Sequence, residues 1–516
     1  MNWKSDVEEL KLRNKLAKSQ GGTEAINLQH AKGRLTLRER IDLLLDKSSF
    51  DEVGKIAGDA EKDEKGEISD FTPSNFVLGF GKIDGRQVLV GGEDFTVKGG
   101  SPNPVGLRKS VYTEDLALQY KVPLIRLHEG GGGSVKGSSG KKSYGDPVFS
   151  KSRFLSVAKT LKEVPVATAA LGPVAGLPAS RFVASHFRVM TKKTAQVLIA
   201  GPKVVERAFG TELTKEELGG SEVHKSNGVV DNIVDTEKEA LNQIRKFISY
   251  FPQNRYEIAQ RVLNEDDIER KDQDLLDAIP EDRSRTYDMR KILSGVVDRD
   301  SLFEITPYFG RGMITAFARL NGFSVGIFAN DPNFYAGSMT ADNAKKTTRF
   351  IENCNNFNIP ILTFVDEPGF LIGPEAEKNA GILYGTETVL TAAETTVPWA
   401  TVMIRKSFGV AAAAHFGPDP YVLAWPSAES GALPLEGGVA VAFAKEIAAA
   451  EDPEAKRKEI EDSLRKARDP FARGESFSVH EVIDPRETRK YLSLWAERIQ
   501  TQLLTCLLYT SPSPRD

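Results

Sequence analysis

Cysteine is nearly absent from this chain. Two in 516 residues, Cys354 and Cys506, cannot build a disulfide framework or a four-ligand zinc site. Histidine is scarce as well. The six histidines include no pair at metal-ligand spacing and no H-E-x-x-H, so no metal is expected. No G-x-S-x-G marks a nucleophile elbow. Excess charge of either sign is missing too: 68 basic against 72 acidic residues leave a net −4. A balance of this kind gives no electrostatic footprint for nucleic acid or an anionic membrane. No apolar run reaches membrane-spanning length, and Val439 to Ala450 is broken by Lys445 and Glu446. The opening MNWKSDVEELKLRNKLAKSQ reads as a charged amphipathic helix, not a signal peptide. A soluble, cytoplasmic protein is the expectation.

What the chain does have is glycine in pointed places. VPLIRLHEGGGGSVKG, Val122 to Gly137, is a short buried strand running into Gly130 to Gly133. Taken alone, a glycine run reads as a flexible surface loop. Glycines at a strand end also let a ligand approach backbone amides, which can hold an oxyanion. The segment recurs. Asp94 and Asp331 stand 331 − 94 = 237 positions apart, and Gly100-Ser101 and Gly337-Ser338 share that offset. So do Pro123, inside VPLIRL, and Pro360, inside IPILTF. Val164-Pro165-Val166-Ala167 and Val397-Pro398-Trp399-Ala400 follow at an offset of 233, as do Gly176 and Gly409. A period this long is no solenoid; it implies two similar domains in tandem.

Residues 1–45 read as helical. From Asn75 strands begin, with a hairpin about Asp84-Gly85 and its counterpart about Asn321-Gly322. Helices at Ser110–Tyr120 and Phe154–Leu161 alternate with strands at Val122–Leu127 and Val166–Leu171, an α/β pattern. A strand at Val197–Ala200 passes into a helix through Gly201-Pro202. The expected boundary follows Phe251, giving domains 1–251 and 252–504. Charge and proline make 252–290 a solvated connector. In the second half, strands are expected at Ile361–Val365 and Ala400–Ile404, with helices at Val439–Ala449, Pro453–Arg468 and Arg489–Ile499. Cys354 packs inside a helix. Residues 505–516 lack periodicity, resemble translated adapter read-through, and are set aside as a non-native tail.

Nucleotide motifs nearly appear and fail. The glycine run never gives G-x-G-x-x-G, and GSSGKKS at 137–143 has a lysine too many for a phosphate loop. His128, His186 and His415 are expected as packed or hydrogen-bonded structural residues. Glu129 could serve as a base, but an exposed turn carboxylate is the expectation. The remaining chemistry lies in backbone amides of four loops: Gly130–Gly133, Gly172–Pro178, Glu367–Gly373 and Phe408–His415. Each follows a predicted strand, and helix openings favour negative charge. Paired amide sites suit a reaction in which two carbonyl oxygens become anionic.

Three stretches carry a resemblance: AGPKVVERAFGTELTKEELGGSEVHKSNGVVD, NFNIPILTFVDEPGFLIGPEAEKNAGILYGTETVLTAAETTVPWATVMIRK and KSFGVAAAAHFGPDPYVLAWPSAE. They resemble the carboxyltransferase (β) subunit of biotin-dependent acyl-CoA carboxylases, such as those acting on propionyl-CoA and methylcrotonyl-CoA. The resemblance runs in order from about residue 30 to residue 500, with Glu216–His224 and the VDEPGF segment its most specific parts. It implies two tandem crotonase-like domains. The first would take the acyl-CoA and the second biotin, with the active site where the first domain of one subunit meets the second of another. It implies biotin on a separate carrier protein, a biotin carboxylase partner, and a homo-oligomer built from dimers into a hexamer. Carboxybiotin would release CO2; the biotin enolate would deprotonate the acyl-CoA, whose enolate attacks CO2. By motif match, the amides of Val410 and Ala411 would face the biotin ureido oxygen. Those at Gly131-Gly132 and Gly176-Leu177 would face the thioester oxygen. Gly130, Gly133, Gly369, Phe370, Gly409, Ala412 and Ala413 would line the substrates.

Departures from that family's pattern matter. Where relatives read A-G-G-A, this chain has Ala175-Gly176-Leu177-Pro178, and Pro178 has no N–H to donate. Where they read D-S-G-G-A-R, it has His128 to Gly133, without the arginine. Where short-acyl relatives carry aspartate, it has Ala413. A wider, less polar pocket and a bulkier or differently functionalised acyl chain are expected. Neither a biotin-carboxylase domain nor an A-M-K-M-like biotinylation site is present, so only the transfer half-reaction is expected. Three alternatives stay open: a decarboxylase or transcarboxylase component, a crotonase-type hydratase or isomerase, and a degenerate assembly-only subunit.

Overall fold

The computed structural model describes residues 3–101, 103–132, 153–282, 285–466 and 470–510. They form two compact units, Met1–Arg255 and Tyr256–Asp516.

In the first unit the strands are β1 (Asp51–Glu52), β2 (Gly58–Lys62), β3 (Ile68–Pro73), β4 (Phe76–Ile83), β5 (Arg86–Glu93), β6 (Leu124–Gly130), β7 (Val166–Ala175), β8 (Phe187–Thr191), β9 (Gln196–Leu198) and β10 (Asn232–Val234). β2 and β3 make a separate hairpin. The others form one sheet in the order β1-β4-β5-β6-β7-β8-β10, with β9 also on β7. The second unit contains β11 (Phe303–Ile305), β12 (Met313–Leu320), β13 (Phe323–Asn330), β14 (Ile361–Glu367), β15 (Trp399–Phe408), β16 (Tyr421–Ala424), β17 (Glu429–Gly431) and β18 (Glu481–Val482). Its order, β11-β12-β13-β14-β15-β16-β18 with β17 on β15, repeats the first. Each unit is a crotonase-like α/β domain, and the two stand in tandem along the chain.

Local chemistry explains why the halves agree. Asp84-Gly85 and Asn321-Gly322 all take positive φ, the requirement of a tight two-residue hairpin turn. They join β4 to β5 and β12 to β13, antiparallel in both sheets. Crossover helices Pro104–Tyr120 and Ala341–Asn356 then return the chain to β6 and β14, both parallel to their neighbours. All seven residues of β6 and of β14 are buried, as for parallel strands covered on both faces. The repeated Gly-Ser pair also finds its reason. A Cβ on Gly100 would stand 2.6 Å from the Glu129 carbonyl oxygen, and one on Gly337 would stand 2.7 Å from that of Asp366. At both places the backbone crosses too close to a strand end for a side chain.

Three expectations change. Residues 252–290 do not simply trail through solvent. Leu275 and Tyr287 are buried in the second unit's core, and Arg270 donates to the carbonyl oxygens of Gly295 and Val297. Charge density concealed two apolar anchors. The Gly172–Pro178 stretch is not a loop as a whole, because β7 continues through Ala175 and only Gly176 turns. β9 gives Pro173 to Ala175 a ladder partner, which glycine and proline composition alone did not suggest. The final helix, Thr488–Thr510, runs into the segment set aside as a tail. Cys354 is fully buried, as expected. No helix among the described residues is long and apolar enough to cross a membrane.

Candidate active site

In the first unit, parallel β6 and β7 lose register between His128 and Gly130. In the second, β14 and β15 lose it between Val365 and Glu367, the same places 237 positions on. In each, pairing resumes in shifted register at the last strand residue, Gly130 with Val174 and Glu367 with Ser407.

In the first unit Gly131 and Gly132 leave β6 partly exposed, while Gly176 turns β7 into the short helix Leu177–Val183 at φ 66°, ψ −128°. The two turns touch: a Cβ on Gly176 would lie 2.9 Å from the Gly132 Cα. The structure therefore brings Gly130, Gly131, Gly132, Gly176 and Leu177 together. Gly133 and GSSGKKS lie outside the described residues. Among the described residues, the N–H groups of Gly131, Gly132, Gly176 and Leu177 have no acceptor. Leu177 and Pro178 line a small cavity with Glu93, Gly100, Ser110 and Arg181.

In the second unit Gly409 turns at φ 67° after β15, its N–H donating to Gly431 at 3.1 Å. Val410 follows at φ −67°, ψ −35° and opens a 3-10 turn over Ala411–His415. Among the described residues, the N–H groups of Val410, Ala411 and Ala412 have no acceptor. Orphan amides are usual at a helical start; here they follow a positive-φ glycine in both units. Val410 is 63% exposed. Of the four alanines only Ala413 is exposed; Ala411, Ala412 and Ala414 are buried. Gly369 takes φ 124° and a Cβ there would lie 3.9 Å from the Phe408 carbonyl oxygen, so its loop flanks Gly409. The Phe370 ring packs on Gly385, in the helix Gly381–Ala393, where a Cβ would meet it at 2.1 Å. It thus holds that helix as much as it lines a loop.

The comparisons with known proteins agree along nearly the whole chain. The family described as carboxyl transferase domain matches residues 28–505. The chain belongs to the carboxyl transferase family. The propionyl-CoA carboxylase carboxyltransferase subunit of Haloferax mediterranei is 36% identical over 499 residues, covering 95% of each chain. The methylmalonyl-CoA decarboxylase subunit alpha of Propionigenium modestum is 33% identical, covering 94% of each. A crystal structure of transcarboxylase 12S, a hexamer with hydrolyzed methylmalonyl-coenzyme A bound, superposes with a TM-score of 0.87 at 32% identity, covering 97% of this chain and 96% of that one.

The carboxyl groups at this carboxyltransferase's strand ends are deeply engaged. Glu129 is not an exposed turn residue; its side chain is 0% exposed. It accepts from Arg34 at 2.5 Å, Gln29 at 2.6 Å and Arg40 at 2.7 Å. Arg40 also grips Glu237 at 2.7 Å. The helical segments before residue 45 bring these cations to the sheet. Arg40 shares a buried face with Leu37, Ile41 and Leu44, the one sequence signal that could have exposed the network.

Glu367 is also fully buried. Its Oε1 accepts from the amides of Met339 at 3.2 Å and Gly369 at 3.1 Å, and its Oε2 from Asn330 at 3.0 Å. Burial pushes its carboxyl up from the ordinary range, against the pull of His415 and the amide bonds. Glu93 is buried as well. Burial opposes its ionisation, but His128 beside it brings the carboxyl below the ordinary range.

His186 is a packed structural histidine, accepting from the Val166 amide at 3.0 Å with its other nitrogen 3.0 Å from the Leu161 carbonyl oxygen. His128 and His415 are packed too, each beside a glutamate. Their hydrogen bonding is incomplete: among the described residues, Nε2 of His128 and both ring nitrogens of His415 lack a hydrogen-bond partner.

Proposed function

We propose that this carboxyltransferase moves a carboxyl group from carboxybiotin, presented by a separate carrier protein, to the α (or vinylogous) carbon of an acyl-CoA. One observation carries the reading. In each unit the second of the same two parallel strands, β7 or β15, ends in a positive-φ glycine followed by amides without acceptors among the described residues, while the neighbouring carboxylates are buried and already engaged. Such a donor set suits anionic oxygens and leaves little scope for a side-chain base. Carboxybiotin would supply the carboxyl group. The amides of Val410 and Ala411 fit a negatively charged ureido oxygen, and Gly409, Ala412, Ala413, Gly369 and Phe370 would border it. The amides of Gly131, Gly132, Gly176 and Leu177 would hold the thioester oxygen as the α-carbon loses its proton. Pro178 has no N–H, so Leu177 and the glycines would carry that role alone. The first unit, about 1–251, would be the acyl-CoA side and the second, about 252–504, the biotin side. Residues 505–516 would be non-native.

The likeness to named carboxylase subunits supports partnership with a biotin carboxylase and a biotin carboxyl carrier subunit. The hexameric transcarboxylase neighbour supports a homo-hexamer, and a cytoplasmic setting fits. A second reading is favoured by the decarboxylase and transcarboxylase among the relatives: the same step run in the other direction. A hydratase or isomerase is disfavoured, since Glu129 and Glu367, the acids that the sequence offers at the strand ends, are buried and already engaged.

The test is a panel of acyl-CoA thioesters with carboxylated carrier protein. Carboxyl transfer is expected, fastest with acyl chains bulkier than propionyl, because Ala413 stands where short-acyl relatives carry aspartate. Enoyl-CoA hydration without biotin, in place of transfer, would overturn the reading.

A further inference from the structure

The duplicated halves differ in one instructive way. Position 367 in the second unit corresponds to Gly130 in the first, and Asn330 to Glu93, both at the offset of 237. The glutamate has changed strands. In the first unit it stands on β5 and fills the space that a side chain at Gly130 would take, its Cγ 3.0 Å from a Cβ built there. In the second it stands on β14, and Asn330 on β13 donates to it. The histidine has moved as well. His128 lies on β6, its ring 6.5 Å from that of Phe182 in the helix after the Gly176 turn. His415, offset by 233 from Phe182, lies in the 3-10 turn after Gly409.

Each unit nevertheless ends with a buried glutamate beside a buried imidazole, at 3.1 Å for Glu93 and His128 and at 3.5 Å for Glu367 and His415. Packing alone does not call for either histidine. Each leaves ring nitrogen without a hydrogen-bond partner among the described residues, a desolvation cost not met by packing. Two different arrangements of one pair, each below an amide-bearing turn, point to a common task.

Resting on the reading above, we propose that Glu367 and His415 are positioning residues for carboxyl transfer, together holding the Gly369 and Gly409–Ala414 loops in register. Glu367 binds one loop directly through the Gly369 amide and meets the other at the imidazole at its far end, a 3.5 Å contact that is an ion pair when His415 is protonated. Met339 completes the clamp, its N–H shared between Glu367 and the Gly369 carbonyl oxygen. Glu93 and His128 form the corresponding pair beside Gly130.

Glu367→Gln and His415→Phe test this, the latter because the first unit already accepts phenylalanine at the matching place. Hydrogen exchange of peptides covering 367–373 and 408–416 should quicken in both variants. With carboxylated carrier, kcat should fall about tenfold or more while KM for acyl-CoA stays within about twofold, the split expected of lost transition-state positioning. The double variant should be no worse than the worse single one, since the two act as a unit. His415→Gln replaces the phenylalanine variant if that one does not fold. Unchanged exchange in both variants overturns the proposal whatever the activity, and so does quickened exchange with unchanged kcat. If the unsubstituted protein transfers no carboxyl group, the functional reading fails and exchange alone decides for or against the pair.

Discussion

Val410→Pro deletes one hydrogen-bond donor and little else. Val410 sits at φ −67°, where a proline ring holds its own backbone. Its N–H has no acceptor among the described residues, so no internal bond is lost. The residue is largely exposed, leaving room for the ring, and the preceding Gly409 has no Cβ to clash with it. Stability should therefore change by no more than about 0.5 kcal/mol, the range of ordinary surface substitutions. If this amide holds an anionic oxygen, kcat should fall roughly 100- to 1000-fold, about 3–4 kcal/mol of lost transition-state stabilisation. Val410→Ala keeps the amide and is the control. Turnover with carboxylated carrier and acyl-CoA, beside thermal unfolding of each variant, reads both quantities. A proline variant that keeps its Tm and turns over within a few-fold of the alanine variant would remove this amide from the chemistry.

Gly176→Ala and Gly409→Ala separate torsion from crowding. Both take φ near +66°, for which a side chain costs about 1–3 kcal/mol. Only at 176 does a Cβ also meet backbone at 2.9 Å; at 409 the nearest atom is 3.4 Å away. Crowding should add about 1–3 kcal/mol at 176, and equal losses in urea unfolding would contradict the contact. Glu129→Gln leaves Arg34 and Arg40 short of a buried counter-charge and should destabilise by about 3 kcal/mol; a loss below about 1 kcal/mol would mean the carboxylate is not the anchor described. Burial lowers the Lys109 ammonium to about 8, against the attraction of Glu52. The unfolded chain holds that proton up to about pH 10.4, so between these values it binds more protons and stability rises with pH. Lys109→Met should flatten that rise and stabilise the neutral protein by up to about 3 kcal/mol; an unaltered slope between about pH 8 and 10 would refute the assignment.

The sequence by itself determined what depends on neighbours and fixed spacings. Strand and helix periodicity, the hairpins at Asp84-Gly85 and Asn321-Gly322, and the 237-position repeat are all local in this sense. So were the glycine turns, because a positive φ leaves its mark at a single residue. Tertiary structure decided which charges are buried and what they hold. Glu129 looks like a solvent-facing turn residue beside its glycines, yet it is bound by an arginine 95 positions away in the chain. The exchange of glutamate and histidine between strands and helices is likewise invisible along the chain, since offset alignment sets Glu93 against asparagine and His415 against phenylalanine. Only the folded sheets, where side chains from different strands meet in one place, reveal that the two halves keep the same pair.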